Sequence, residues 1–151
     1  MLRHTLATLA YRAAKVLRDA PPGFAAFAPA DGSRSAGQIV AHLGDLMEWA
    51  TSIAEGKQSW TDAAPREWDA DVRRFFDALT RFDAAVARGD AASLPMDRLF
   101  QGPVADALGH VGQLAMLRRL AGAPIRPENF FAADITEGRV GLEQTPPSRE
   151  F

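Results

Sequence analysis

Two of the three histidines in this sequence, His42 and His110, fall inside stretches whose apolar periodicity marks them as core-forming, while His4 stands near the start and off the apolar stripe. Asp106 precedes His110 by four residues, and on a helix such a pair shares one face, with Cβ atoms about 5–6 Å apart. An imidazole nitrogen and a carboxylate oxygen at that separation can bridge one divalent cation. A third donor from a facing helix would complete a partial shell with open positions, the arrangement that admits water or substrate beside the protein ligands. Two histidines and one carboxylate are a recognised divalent-metal set. The chain has no cysteine, which excludes disulfides, thiolate sites, iron–sulfur clusters and cysteine nucleophiles, so any metal must be held by nitrogen and oxygen.

Further groups surround these three. Gln113, one turn after His110, is placed either to orient a ligand or to make an interhelical hydrogen bond. Gln38 and Asp45 flank His42 by about a helical turn each, and Trp49 and Trp60 are candidates to line a substrate mouth or to serve as core or dimer contacts. Gly109 and Gly112 flank His110, and their lack of side chains would let a neighbouring helix come close. Spacing alone also fits a plainer reading. Each histidine is then a hydrogen-bonded core residue, and Asp106 is a first-turn acid favoured by the helix dipole.

The periodicity supplies four helices to carry these residues. Leu2, Leu6, Leu9, Ala13, Val16 and Leu17 predict an amphipathic helix from Leu2 to about Asp19, closed by Pro21-Pro22-Gly23. Ser35 with Gln38 makes a capping box that starts the second, whose inward residues are Ile39, Leu43, Leu46, Ala50 and Ile53, before Gly56. Pro65 suits the first turn of the third, with the stripe Trp68, Val72, Phe75, Leu79, Phe82 and Val86 and a stop at Gly89. Asp90 to Gln101 lacks a sustained period and reads as a long crossover, after which Gly102-Pro103 opens the fourth helix. That helix carries Val104, Ala107, Leu108, Val111, Leu114, Leu117 and Leu120 and closes at Gly122 and Pro124. An all-α four-helix bundle over residues 1–126 follows, with residues 127–151 a partly irregular C-terminal extension packing on it. In that extension Asn129-Phe130-Phe131 is expected to form one docking turn, and Thr145 to Phe151 to be loose.

The segments SAGQIVAHLGDLMEWA and DALGHVGQLAMLRRLAG, joined through a Trp-bearing connection, resemble the DinB/YfiT-like family, and the likeness runs from the first helix to about Pro127. The resemblance implies an up-down-down-up bundle with a long crossover before the last helix. It also implies a metal held by one histidine of the second helix and two of the fourth, in a His-x-x-x-His-x-Gly-Gln arrangement. His42 matches the second-helix ligand and His110, in His110-Val111-Gly112-Gln113, the last one. Asp106 stands where the family has a histidine, and Val111 replaces a basic residue. One divalent ion, Zn, Ni or Fe, is the cofactor so implied.

Characterised members of the family include transferases that activate a low-molecular-weight thiol on the metal. The resemblance therefore implies thiol-dependent transferase or hydrolase chemistry on a small molecule, the thiol coming from a cosubstrate because the chain has none. The alternative is a non-catalytic dimeric binding or stress-response module with a structural or vestigial site. A homodimer is expected because family members pair through helix faces and because the aromatic third helix offers apolar area beyond a core's needs. A net charge of −2 from 17 basic and 19 acidic residues gives no broad positive field, so nucleic acid is not an expected partner. Arg73-Arg74 and Arg118-Arg119 read as solvated helix edges. No apolar run reaches the ~20 residues that span a bilayer, and a soluble, cytoplasmic protein is expected.

Overall fold

The computed structural model describes residues 1–89 and 93–151, and over these the chain is helical. Helix α1 (Leu2–Leu17) ends two residues before the expected Asp19, because Arg18 is extended and Asp19 turns left-handed at φ 52°. Helix α2 (Ala36–Ala54) begins at the predicted capping box: Gln38 N–H donates to Ser35 Oγ at 3.3 Å, and Ser35 N–H donates to Gln38 Oε1 at 2.8 Å. It ends where Gly56, at φ 71°, lets the Gly56 and Lys57 amides turn back onto the Ile53 and Ser52 carbonyls.

Helix α3 (Trp68–Arg88) starts at cap residue Glu67, so Pro65 lies ahead of the helix rather than in its first turn. The reason is Asp71, whose buried carboxylate accepts the Arg66 amide at 2.7 Å and holds the approaching chain in a non-helical path. The expected stripe is buried at Val72, Phe75, Leu79, Phe82 and Val86.

The start of the expected crossover, at Asp90, lies outside the described residues; its latter part is helical. Helix α4 (Met96–Leu99) runs into a π-helical segment (Phe100–Val104) and then into α5 (Ala105–Leu120). Pro103 inside this run has no amide to return to the Leu99 carbonyl, and the wider π turn accommodates the missing α-helical bond. Gly102-Pro103 therefore sits within a helical run rather than opening one. Gly122, at φ 75°, closes α5 by the same reversal as Gly56. Leu120, expected inside, is 58% exposed.

Helix α1 packs against α3 and α5, and α2 against α3 and α5, enclosing Leu6, Leu9, Leu43, Met47, Phe75, Leu79, Phe82 and Leu114. Each such side chain contributes roughly 1.5–3 kcal/mol through burial. Phe75, Phe76 and Phe82 are all buried within one chain, which removes the surplus aromatic area on which the dimer expectation partly rested. Among the described residues there is no strand, only an isolated antiparallel bridge between Glu128 and Glu150, and no helix is long and apolar enough to cross a membrane.

The bridge corrects the expectation of a loose end. The Asn129 amide donates to the Arg149 carbonyl at 3.0 Å and the Phe151 amide to the Pro127 carbonyl at 3.2 Å. Glu128 accepts from Tyr11 Oη at 2.6 Å and Lys15 Nζ at 2.7 Å, and Lys15 also reaches Glu150 at 2.7 Å. Phe130 docks edge-on to Tyr11 and under the Arg12 guanidinium, as a docking turn should, while Phe131 points to solvent. The basic pairs divide: Arg73 and Arg119 are exposed, as solvated helix edges should be, and their neighbours are not. Arg118 is buried and donates to the Val16, Arg18 and Ala123 carbonyls, where a cation complements two helix C-termini. Arg74, half-buried on α3, joins an ion cluster with Asp45 and Glu48 of α2.

Candidate metal centre

On α2, Ile39, Leu43 and Leu46 face the core and place His42 at the edge of the α2–α5 contact. On α5, Ala107, Val111 and Leu114 do the same for Asp106 and His110. The three predicted ligands converge: His42 Nε2 lies 3.6 Å from Asp106 Oδ2, and His110 Nε2 lies 3.4 Å from Asp106 Oδ1. The two imidazoles meet edge to face with centroids 4.8 Å apart. The side chains of both histidines are largely enclosed, at 14% and 11% exposure, whereas that of Asp106 is 53% exposed and forms the open side.

This donor set fits a divalent ion. One donor atom from each residue lies within 4.8 Å of the others. An ion with bonds of about 2.0–2.2 Å separates tetrahedral ligands by roughly 3.4 Å, so the two contacts to Asp106 are already near a ligand–ligand edge. His110 Nδ1 lies 2.8 Å from Gln113 Oε1. A carbonyl oxygen only accepts, so Nδ1 is the donor in this bond and Nε2 is the ring nitrogen that faces Asp106. Burial, then the nearby Arg34 and His110, hold His42 below the usual histidine pKa and keep it neutral, the form that ligates.

The surrounding residues divide sharply. Gln113 takes the orienting role open to it in the sequence. Trp60, half exposed, stands edge-on to His42 at 5.7 Å, and Trp49 stands perpendicular to Trp60 at the same distance, so both indoles line the approach. The far edge of Trp49 lies 3.8 Å from where a Gly102 Cβ would be, a contact that places the π segment beside the mouth. Gln38 and Asp45 share with His42 a cavity of about 350 Å³, also lined by Arg34 and Asp62. The Gln38 Oε1 is committed to the capping box and the Asp45 carboxylate to Arg74 and the Ala63 amide, so neither supports a ligand. Gly109 and Gly112 have nothing within 4 Å of a built Cβ and face solvent; close approach occurs instead at Gly44, where a Cβ would meet Arg74 Nη1 at 2.9 Å.

Arg34 was not singled out by spacing. It lies in the loop before α2, and no periodic pattern ties a loop arginine to a histidine eight residues on. Searches of protein-family models, curated proteins and solved structures found no match to this chain.

Proposed function

We propose that this chain is a divalent-metal protein of the DinB/YfiT-like type, with His42, Asp106 and His110 holding one Zn, Ni or Fe ion and a small molecule as its substrate. The observation that carries this reading is the convergence of two imidazoles and one carboxylate, from two helices, beside a cavity that His42 lines. The two-against-two helix contacts suit an up-down-down-up bundle. Pairing into homodimers rests on the resemblance alone.

Bound there, a divalent ion supplies Lewis acidity, which acidifies a coordinated nucleophile and polarises an electrophile. The chain's own residues do the rest. Gln113 fixes the His110 ring and tautomer, Trp49 and Trp60 exclude water on one side, and Arg34 supplies positive charge beside His42. The half-exposed Asp106 leaves one side open for a substrate or low-molecular-weight thiol, which favours an enzyme of transferase or hydrolase type over a closed structural site. Elemental analysis of protein purified without an affinity tag is expected to find about one equivalent of metal per chain. Protein that is metal-free and takes up no Zn, Ni or Fe on reconstitution would return the histidines to a plain core role.

A further inference from the structure

A second concavity, of about 300 Å³, adjoins the candidate metal centre and is otherwise unassigned. On α5 the metal-facing residues Asp106 and His110 are followed at helical spacing by Gln113, Met116, Leu117 and Leu120, so one stripe runs from the ligands to an apolar end. Met116 is 51% and Leu120 58% exposed, although both are large and apolar. Pro29 and Arg34, from the loop before α2, form the opposite wall. From Gln113 to Leu120 the stripe is about 10 Å long, the reach of a medium-length alkyl chain.

Arg34 belongs to both concavities, lining the cavity at His42 and the wall of the groove. It is exposed, with no hydrogen bond or ion pair to any described residue, and no acidic residue lines the groove. Its charge is thus uncommitted at the junction between the metal-ligating and apolar halves. Gln113 joins the halves from the other side, bonding His110 while lining the groove.

We infer that this groove holds the apolar chain of a small carboxylate-bearing amphiphile, whose head group lies at Arg34 beside His42. The inference deepens the proposed metal site by naming its substrate class and rests on that reading for its catalytic meaning. Charge complementarity selects the occupant. A two-fold pairing of chains on this patch would bring two Arg34 side chains into one interface with no acid of the patch to answer them. The patch is also small beside the ~800 Å² per partner of a stable dimer.

The test uses the full chain, with and without Zn²⁺, titrated calorimetrically with sodium octanoate, octanol and sodium acetate. Octanoate is expected to bind, with octanol and acetate each weaker by about tenfold or more. Met116→Ser with Leu120→Ser, both at exposed positions, should weaken octanoate about tenfold while leaving the Zn²⁺ titration unchanged, and Arg34→Gln should separately weaken octanoate about tenfold. Octanoate binding in a chain that takes no Zn²⁺ upholds the groove and sinks only the metal. Zn²⁺ uptake with no octanoate binding, or octanoate binding that ignores all three substitutions, overturns the groove. So does a dimer in sedimentation that the double serine variant converts to monomer, since the occupant is then a second copy.

Discussion

Two polar clusters share α2 within one helical turn, and they are built on opposite plans. At Asp45 every charge is answered. Arg74 donates to Asp45, to both oxygens of Glu48 and to the Ala41 carbonyl, and the second Asp45 oxygen accepts the Ala63 amide. Burial would lower Arg74, yet its two carboxylates more than offset this and hold its pKa raised. At His42 the arrangement is open: nitrogens of two imidazoles and the oxygens of a carboxylate face one another, and only the back of His110 is tied down. The difference teaches how to tell structure from function in a helical protein. A buried charge bonded on all sides fixes the fold, whereas convergent acceptors lacking a protein cation are arranged for something from outside.

The largest expected effect breaks the closed cluster. Arg74→Met leaves Asp45 buried without its cation, at a cost of about 3–5 kcal/mol. For a chain of this size that lowers Tm by roughly 6–20 °C. Zn²⁺ uptake by the protein still folded at low temperature should be unchanged. A thermal melt shifted by only a degree or two would show that the Asp45 cluster is not the structural member of the pair.

Next in size, His42→Ala or His110→Ala should weaken Zn²⁺ binding by roughly a hundredfold or more, since each removes a ligand outright. The metal-free melts should stay close to wild type, the inverse of the Arg74 result. Gln113→Ala, which frees the His110 ring, should cost only about tenfold in affinity with the stoichiometry intact. Equal affinity in wild type and Gln113→Ala, measured by competition with a chelator, would remove its orienting role.

The smallest effect is one of pH on the metal-free protein. His42 is lowered on folding, so between its folded pKa and the unfolded value of about 6.5 the unfolded chain binds more protons. Stability attributable to His42 is therefore complete above about 6.5 and declines as pH falls through that window. Melts across this range should slope downwards in acid for wild type, less so for His42→Ala. Identical slopes would mean that the burial of His42 carries no energetic weight.

Much of this organisation is legible in residue spacing, and the failures share a cause. The capping box at Ser35 and Gln38, the α3 stripe and the Asp106–His110 pair are local patterns, and local patterns survive into the structure, whereas His42, 64 residues before Asp106, is matched to that pair through the resemblance. Pro65 and Pro103 depart from expectation because neighbours decide their setting: Asp71 holds the chain near Pro65 off the helix, and a π turn absorbs Pro103. Asp45 looked like a partner for His42 at helical spacing, but its commitment to Arg74, 29 residues away, is a long-range pairing that periodicity does not encode. Gly44 was the available signal, a small residue beside Asp45 where a guanidinium passes. The order of the tail is invisible in its own spacing because its anchors, Tyr11 and Lys15, lie more than 100 residues earlier in the chain.

The central claim is that the open cluster, and not the closed one, takes a metal ion. Its most direct test is calorimetric titration of tag-free, metal-free protein with Zn²⁺ near neutral pH, comparing wild type with His42→Ala, His110→Ala, Asp106→Ala and Asp106→His. Wild type should take up about one ion per chain, the two histidine variants little or none, Asp106→Ala less tightly, and Asp106→His at least as tightly as wild type. Equal binding by wild type and all four variants, or binding by none of them, would contradict the assignment of His42, Asp106 and His110 as the metal site.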